Sequence, residues 1–232
     1  MVKSDFIYSK NLGMDWIYTL CIPDDYLNGK EYDLLIILHG TNGNNRTLVD
    51  RVPLGDILEE YKDKIVVLPN GFNSYYIDNM ENAIIEDLIP FLEGEFNIKN
   101  MIIGGVSMGG FGALNLTLKY PKLFKKAVLI SPAIWNPLPP MDSSVRDMYA
   151  FGKPFNEDKW IENSWISKTE NLSKNSYILI HGNQDEIVER HNVDKFVNYC
   201  LDNGIEIEYY NIDENHNSEV VKKGLEIALE RL

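Results

Sequence analysis

At the centre of the chain stands Met101-Ile-Ile-Gly-Gly-Val-Ser-Met-Gly-Gly-Phe-Gly-Ala-Leu114, an apolar run that passes through glycines and one serine into helical spacing. Gly105–Gly109 matches the G-x-S-x-G pattern of a serine on a tight strand-to-helix turn. Glycine is needed on either side of the serine because larger side chains would collide with the returning chain. The N–H groups that open the helix point at the serine. The pattern predicts Ser107 as a nucleophile; the alternative is a glycine-rich turn that only packs closely or binds a phosphate.

The length and composition of the chain indicate one globular domain, residues 1–232. Hydrophobic residues make up 44% of the 232 positions and charged residues 25%, an ordinary composition for a globular protein. A chain of this length can bury a large core. The formal net charge of −13 argues against nucleic acid and against an anionic membrane as partners. The two cysteines, Cys21 and Cys200, have no metal-ligand neighbours in sequence. We therefore expect reduced thiols and no metal site.

The N-terminal residues lack the apolar core of a signal peptide, and no apolar run approaches the length that spans a membrane. These features favour a cytoplasmic location, unless a cleaved leader preceded the sequence. The pattern does not decide the oligomeric state and leaves a homo-oligomer open.

Continuous apolar runs recur along the chain and are typical of strands buried on both faces of a parallel sheet. A hairpin turning at Asn11–Gly13 precedes them, and a strand at Ile205–Ile212 follows them. The order of elements predicts an α/β fold with a mainly parallel sheet flanked by helices. The buried runs are Leu34–Leu38, Ile65–Leu68, Met101–Ile103, Ala127–Ile130 and Tyr177–Ile180.

Helical spacing fills most connections between these strands. Two of the helices contain a proline, which removes a backbone N–H and should break or kink them. The predicted helices are Thr47–Tyr61 with a break at Pro53, about Met80–Phe96 with a kink at Pro90, the helix after Ser107, about Val193–Leu201, and Val220–Leu232.

The segment 133–173 interrupts this regularity after the strand that ends near Ser131. It is rich in proline and in large aromatic residues, and it is long for a connection in a compact domain. We expect it to form a cap over the site, with Trp135 lining the pocket because that residue is nearest the strand end. The alternative is that its tryptophans cover the outer helices of the sheet.

Polar side chains follow several predicted strands, at the edge where ligands bind in open α/β sheets. Ser107 follows one strand, Asp185 and Glu186 follow another, and His216 follows the last. The chain order of serine, acid and histidine is that of the α/β-hydrolase fold. Asp185 is the preferred acid, because Glu186 would point a different way and Asp213 is too near the histidine in sequence.

Four histidines compete for the role of base. His39 and His181 each precede a glycine directly after a buried strand, a position typical of residues that shape loops. His191 begins a predicted helix, which favours a surface or capping role. His216 is the predicted base because it lies past the last strand and downstream of the acid.

The chemistry assigns each residue a role. A serine hydroxyl is a poor nucleophile at neutral pH, so His216 would take its proton while Asp185 orients the imidazole. An oxyanion needs two donors, and the backbone N–H groups of Met108 and Thr41 are the candidates. The loop that carries Thr41 could instead be only a polar turn.

The sequence resembles the esterase family that includes esterase D, small tributyrin esterases and feruloyl esterases. This resemblance implies an α/β-hydrolase fold, no cofactor, a triad of Ser107, Asp185 and His216, and a pocket lined by Tyr76 and its neighbours. The matching segments are Leu38–Gly43, Leu68–Gly71, Ser74–Asp78, Asp87–Pro90, Gly105–Gly110, Lys119–Pro121 and His181–Asp185.

Two departures from the family pattern bear on the substrate. The family often has glycine before the histidine and tryptophan soon after it, whereas this chain reads Glu214-Asn-His-Asn-Ser218. The segment after Ser131 is also where members differ most. We expect a serine carboxylesterase for short-chain acyl or carbohydrate-linked esters, with a small-molecule ester as its partner. A thioesterase resembling S-formylglutathione hydrolase and a catalytically silent binding module are the alternatives.

Overall fold

The computed structural model describes all residues, 1–232. Eight strands form one sheet in the order β1-β2-β4-β3-β5-β6-β7-β8. The strands are β1 Val2–Ser9, β2 Met14–Cys21, β3 Tyr32–Leu38, β4 Lys64–Pro69, β5 Ile98–Val106, β6 Lys126–Ile130, β7 Ser176–Gly182 and β8 Ile207–Ile212.

The sheet is parallel from β4 to β8 and antiparallel at one edge. Strands β1 and β2 form the predicted hairpin, and β2 also pairs antiparallel with β4. All remaining pairs are parallel, so the carboxyl ends of β3, β5, β6 and β7 lie along one edge. The predicted α/β fold with a mainly parallel sheet is confirmed.

Helices cover both faces of the sheet, and prolines set two of their irregularities. Pro53 divides the first predicted helix into two short ones, as expected. The second is not simply kinked at Pro90, because it widens into a π-helix, Ala83–Leu88, just before that residue. The helices are α1 Thr47–Arg51, α2 Leu54–Leu58, α3 Asn79–Asn82, α4 Ile89–Glu95, α5 Met108–Lys119, α6 Glu157–Asn163, α7 Arg190–Asp202 and α8 Ser218–Glu230.

The apolar side chains form two cores, one on each side of the sheet. The larger core takes side chains from α3 to α5, from α7 and from the segment 133–173. The smaller core takes side chains from α1, α2 and α8. Strands of the middle of the sheet contribute alternate residues to the two cores, which explains why they read as continuous apolar runs.

The segment 133–173 packs much of its aromatic surface into the larger core. The ring of Trp160 is fully buried, with ring centroids 5.0 Å from both Phe111 and Phe151. Trp165 lies against Phe196 of α7 with a centroid distance of 5.2 Å. The regular elements of this segment are α6 and short 3-10 turns at Ser144–Asp147, Tyr149–Phe151 and Trp165–Lys174.

Helix α5 begins in direct contact with the backbone of its neighbours. A Cβ atom added at Gly109 would lie 2.0 Å from the carbonyl oxygen of Leu38 in β3. One added at Gly105 would lie 2.1 Å from the carbonyl oxygen of Gly109. Glycine at these two positions therefore lets the helix start against the end of the sheet.

His39 holds together the loops that follow β3 and β4. The backbone N–H of Gly71 donates to His39 Nε2 at 2.9 Å, so Nδ1 carries the ring proton and donates to Gly40 O at 2.7 Å. The hydroxyl of Tyr76 donates to the carbonyl oxygen of His39 at 3.1 Å. Burial lowers the pKa of His39, although its hydrogen bonds oppose that shift. The ring is thus a neutral brace, as expected of a loop-shaping residue.

Substituting Gly109 by alanine should destabilise the fold, because the new methyl group meets backbone that cannot turn aside. We expect Gly109→Ala to lower the free energy of unfolding by about 3 kcal/mol or more. Gly94→Ala in α4 is the matched control: its Cβ would meet nothing within 4 Å. Helix propensity should make that variant more stable by up to about 1 kcal/mol. Urea unfolding measures both, and equal stability of the two variants would contradict the packing at Gly109.

Removing His39 should flatten the pH dependence of stability. Because burial lowers its pKa in the folded state, the unfolded chain binds the proton more tightly. The contribution of His39 to the free energy of unfolding is then fully present above the unfolded pKa of about 6.5. As the pH decreases below that value, the contribution falls by at most about 1.4 kcal/mol per pH unit. Urea unfolding at pH 7.5 and 5.5 should show a smaller fall for His39→Gln than for the wild type. The exposed His191→Gln variant should keep the wild-type fall; a parallel fall in His39→Gln would refute the expectation.

Candidate active site

Ser107 occupies a strained turn between β5 and α5. Its φ of 54° and ψ of −113° lie outside the regions that L-residues favour, a strain of about 1–3 kcal/mol. Three backbone hydrogen bonds hold it there: its N–H donates to Ile130 O at 3.0 Å, and its carbonyl oxygen accepts from Phe111 and Ala133, each at 3.0 Å. These bonds tie the turn to α5, to β6 and to the chain after β6.

Asp185 and His216 form a direct pair at the ends of β7 and β8. The distance from His216 Nδ1 to Asp185 Oδ2 is 2.7 Å. The other carboxylate oxygen accepts the backbone N–H groups of Ile187 and Val188 at 2.9 and 2.8 Å. Since a carboxylate only accepts, Nδ1 carries the proton and Nε2 is left to accept another.

The environment of Asp185 favours its ionised form. Burial of the carboxyl group would raise its pKa, but the hydrogen bond and charge of His216 and the N–H of Val188 outweigh burial. The net effect places the pKa of Asp185 below its ordinary value. Asp185 is therefore a carboxylate that can stabilise a protonated His216.

The two other acids considered from the sequence do not contact the imidazole. The side chain of Glu186 is exposed, and its backbone N–H donates to Asn215 Oδ1 at 3.4 Å. The carboxylate of Asp213 accepts from the side-chain amide of Gln184 at 2.7 Å. Asp185 is thus the acid that the fold places on His216.

The remaining histidines have other partners. His181 is fully buried and its Nε2 donates to Val188 O at 2.9 Å, so the ring braces the loop that carries Asp185. Its Nε2 is 3.7 Å from Asp185 Oδ2, and burial lowers the pKa of the ring. His191 is exposed on α7 and pairs with Glu189 at 3.0 Å.

The loop after β3 passes close to the serine. A Cβ atom added at Gly40 would lie 3.5 Å from the Cβ of Ser107. Thr41, the next residue, lines the same cavity as Ser107. Met108 is the first residue of α5, where the N–H group has no partner within the helix. Both residues predicted to supply the donors therefore lie near Ser107.

A cavity of about 420 Å³ joins these groups. Ser107, His216 and Thr41 line it, and so does Trp135, at the position that its nearness to the end of β6 predicts. Its wall consists of Gly40–Gly43, Thr47, Leu48, Arg51, Val52, Tyr75, Val106, Ser107, Trp135, Ser143, Ser144, Ile187, His216–Ser218 and Val221.

The structure places Tyr75, rather than Tyr76, on the cavity wall. The side chain of Tyr76 is fully buried behind it, with its hydroxyl bonded to His39 O. Both residues have positive φ, 55° and 56°, so the chain does not alternate sides as a strand would. Burial raises the pKa of Tyr75, which lines the cavity as a neutral phenol. The aromatic loop indicated this region, but no sequence signal distinguishes the two tyrosines.

Arg51 is a second wall residue that sequence reasoning missed. It is the last residue of α1, which ends two residues before Pro53, and it lines the cavity. The side chains also bear on metal binding and on membranes. No cluster of three or more His, Cys, Asp or Glu side chains is arranged to hold a metal ion.

None of the helices has the length and hydropathy needed to cross a bilayer.

Comparison with known proteins identifies the family. A family model described as "Putative esterase" matches residues 9–218. The acetyl esterase of Caldicellulosiruptor saccharolyticus is 27% identical over an alignment of 253 positions, gaps included, which covers 96% of this chain and 94% of that protein. A ferulic acid esterase structure is 20% identical, with a TM-score of 0.83 over 99% of this chain and 96% of its own.

An S-formylglutathione hydrolase structure from Agrobacterium tumefaciens has the same TM-score, 0.83, at 15% identity over 100% of this chain and 94% of its own. At these identities the structural likeness establishes the α/β-hydrolase fold, and the family match over most of the chain establishes the kind of enzyme. The chain belongs to the "Putative esterase" family and is a hydrolase that cleaves carboxylic esters.

Proposed function

We propose that the enzyme hydrolyses short-chain acyl or carbohydrate-linked esters through an acyl-enzyme on Ser107. The observation that carries this proposal is the 2.7 Å bond between His216 Nδ1 and Asp185 Oδ2, together with the strained turn at Ser107, since Ser107 and His216 line the same cavity. This arrangement has the parts that a serine hydrolase requires: nucleophile, base and orienting acid.

The first half of the reaction forms the acyl-enzyme. His216 Nε2 takes the proton of Ser107 as its Oγ attacks the ester carbonyl carbon. The N–H groups of Thr41 and Met108 donate to the oxyanion of the tetrahedral intermediate. When that intermediate collapses, the C–O bond to the alcohol breaks, and the alcohol leaves with the proton from His216. Asp185 stabilises the imidazolium throughout.

The second half returns the enzyme to its starting state. His216 removes a proton from a water molecule, which attacks the acyl carbonyl carbon at the same oxyanion position. The bond to Ser107 Oγ then breaks, and the serine takes back the proton from His216. The products are a carboxylic acid and a free enzyme.

The cavity supports a small acyl group and a polar alcohol. Its volume of about 420 Å³ is at the lower end of ordinary small-molecule sites. Aromatic side chains, Tyr75 and Trp135, form one part of the wall, whereas hydroxyl and amide groups such as Thr47 and Asn217 form another. A relative named acetyl esterase supports the same acyl size.

Two alternatives from the sequence remain to be tested against this proposal. A thioesterase would use the same acyl-enzyme, and the fold shared with S-formylglutathione hydrolases does not distinguish the two leaving groups. A silent binding module would not need the hydrogen-bonded pair of Asp185 and His216. The cytoplasmic location, the oligomeric state and the cap role of residues 133–173 stay predictions.

Ser107→Ala should keep the fold and lower kcat by about four orders of magnitude or more, because triad members act as a unit. A fluorophosphonate probe followed by mass spectrometry should place its adduct on Ser107 in the wild type. His216→Ala should be similarly inactive, and Asp185→Asn should lose about 10⁴ in kcat through the wrong tautomer.

The matched controls are the neighbours that the structure places outside the triad. His191→Ala and Glu186→Gln remove the same chemical groups from exposed positions and should stay close to the wild-type rate. An adduct on another residue, or equal losses in the triad variants and their controls, would exclude the proposed triad.

Trp135→Ala should change the preference for acyl length, because the indole lies on the cavity wall. We expect the ratio of kcat/KM for acetyl and octanoyl aryl esters to shift toward the longer chain as the wall recedes. Trp165→Ala is the control, since that side chain packs against Phe196 and does not line the cavity. If both rates fall together and the ratio stays constant, Trp135 is scaffold and the cap does not set acyl length.

A further inference from the structure

The cavity wall carries a charge opposite to that of the protein. The chain contains 35 acidic residues and has a formal net charge of −13, yet no aspartate or glutamate lines the cavity. Its only permanently charged wall residue is Arg51. An anionic ligand that enters this cavity therefore meets a cation and no carboxylate.

The guanidinium of Arg51 is free to bind a ligand. The guanidinium forms no hydrogen bond, ion pair or cation–π contact within the protein, and Arg51 is exposed to solvent. Its neighbour Arg46 is different, because Arg46 Nη2 pairs with Asp50 Oδ1 at 2.8 Å. The available acidic partner on α1 is thus taken by Arg46, and Arg51 keeps its donors for the cavity.

The two cores of the protein support two different walls of the cavity. Leu48 and Val52, which flank Arg51, belong to the smaller core together with Val221 of α8. Tyr75 and Trp135 belong to the larger core on the other side of the sheet. Arg51 therefore lies on the α1–α8 wall, opposite the aromatic one.

The direction of the leaving group follows from the proposed proton transfer. His216 must protonate the departing oxygen, so that oxygen lies at its imidazole. The residues that follow His216, Asn217 and Ser218, lead into α8 and line the same wall as Arg51. The alcohol part of the ester thus extends along the α1–α8 wall.

We propose that Arg51 binds an anionic group, a carboxylate, on the alcohol part of the substrate, which makes the enzyme selective for esters of acidic alcohols. The inference rests on the proposed function of Ser107, Asp185 and His216. Guanidinium presents its N–H donors in a planar fork that matches a carboxylate in two parallel hydrogen bonds. The alternative is that Arg51 only stabilises the C-terminus of α1, where a cation interacts favourably with the helix dipole. That role predicts that kcat/KM does not depend on the charge of the substrate.

The test compares two substrates that differ only in charge on the alcohol side: 4-acetoxybenzoate and its neutral methyl ester. The readout is the ratio of kcat/KM for the anionic and the neutral substrate. Arg51→Gln should lower that ratio about tenfold, and Arg51→Lys should lower it less, because lysine keeps the charge and loses the fork. Added salt should lower the wild-type ratio and leave that of Arg51→Gln unchanged.

Arg46→Gln is the matched control, since it removes an arginine from the residue before α1 and should leave the ratio at its wild-type value. A ratio that is equal in the wild type and Arg51→Gln overturns the inference. A second pair of substrates, methyl hydrogen succinate and dimethyl succinate, places the carboxylate on the acyl side instead. The inference is also overturned if Arg51→Gln changes the ratio of kcat/KM only for this second pair. Phosphonate labelling of Ser107 in the same samples tests the triad separately, so failure of the two proposals is distinguishable.

Discussion

The contact between the start of α5 and the end of β3 is the constraint on which the site depends. The Cα of Gly109 lies so close to the carbonyl oxygen of Leu38 that no Cβ atom fits between them. This close approach brings the loop after β3 next to Ser107. The first N–H groups of α5, which have no acceptor within the helix, directly follow Ser107. A larger residue at Gly109 would move Ser107 away from the loop after β3.

The parts of the fold that could be predicted from the sequence are those with a strong local signal. Continuous apolar runs identified the central strands, and the order of Ser107, Asp185 and His216 along those strands identified which side chains the sheet edge brings together. The acid–histidine pair at 2.7 Å agrees with that expectation, although its catalytic role stays a prediction. Parallel strands make this possible because their carboxyl ends share one edge.

Other features had no local signal. Two successive tyrosines have positive φ, a conformation that a tyrosine does not reveal in sequence, and the first of them lines the cavity. Arg51 was missed because its place depends on how two short helices fold around Pro53. The bracing roles of His39 and His181 were expected only in outline, since their partners are backbone groups of Gly71 and Val188 that only the folded loops bring near.

The two walls of the cavity rest on cores that the sheet keeps apart. Substitutions beneath the aromatic wall, around Trp160, and beneath the α1–α8 wall, around Val221, share no packing partners in either core. Free-energy changes at such separated sites are close to additive. Each wall can therefore accumulate mutations without disturbing the other, so this architecture lets a lineage reshape one side of its cavity while it retains the other.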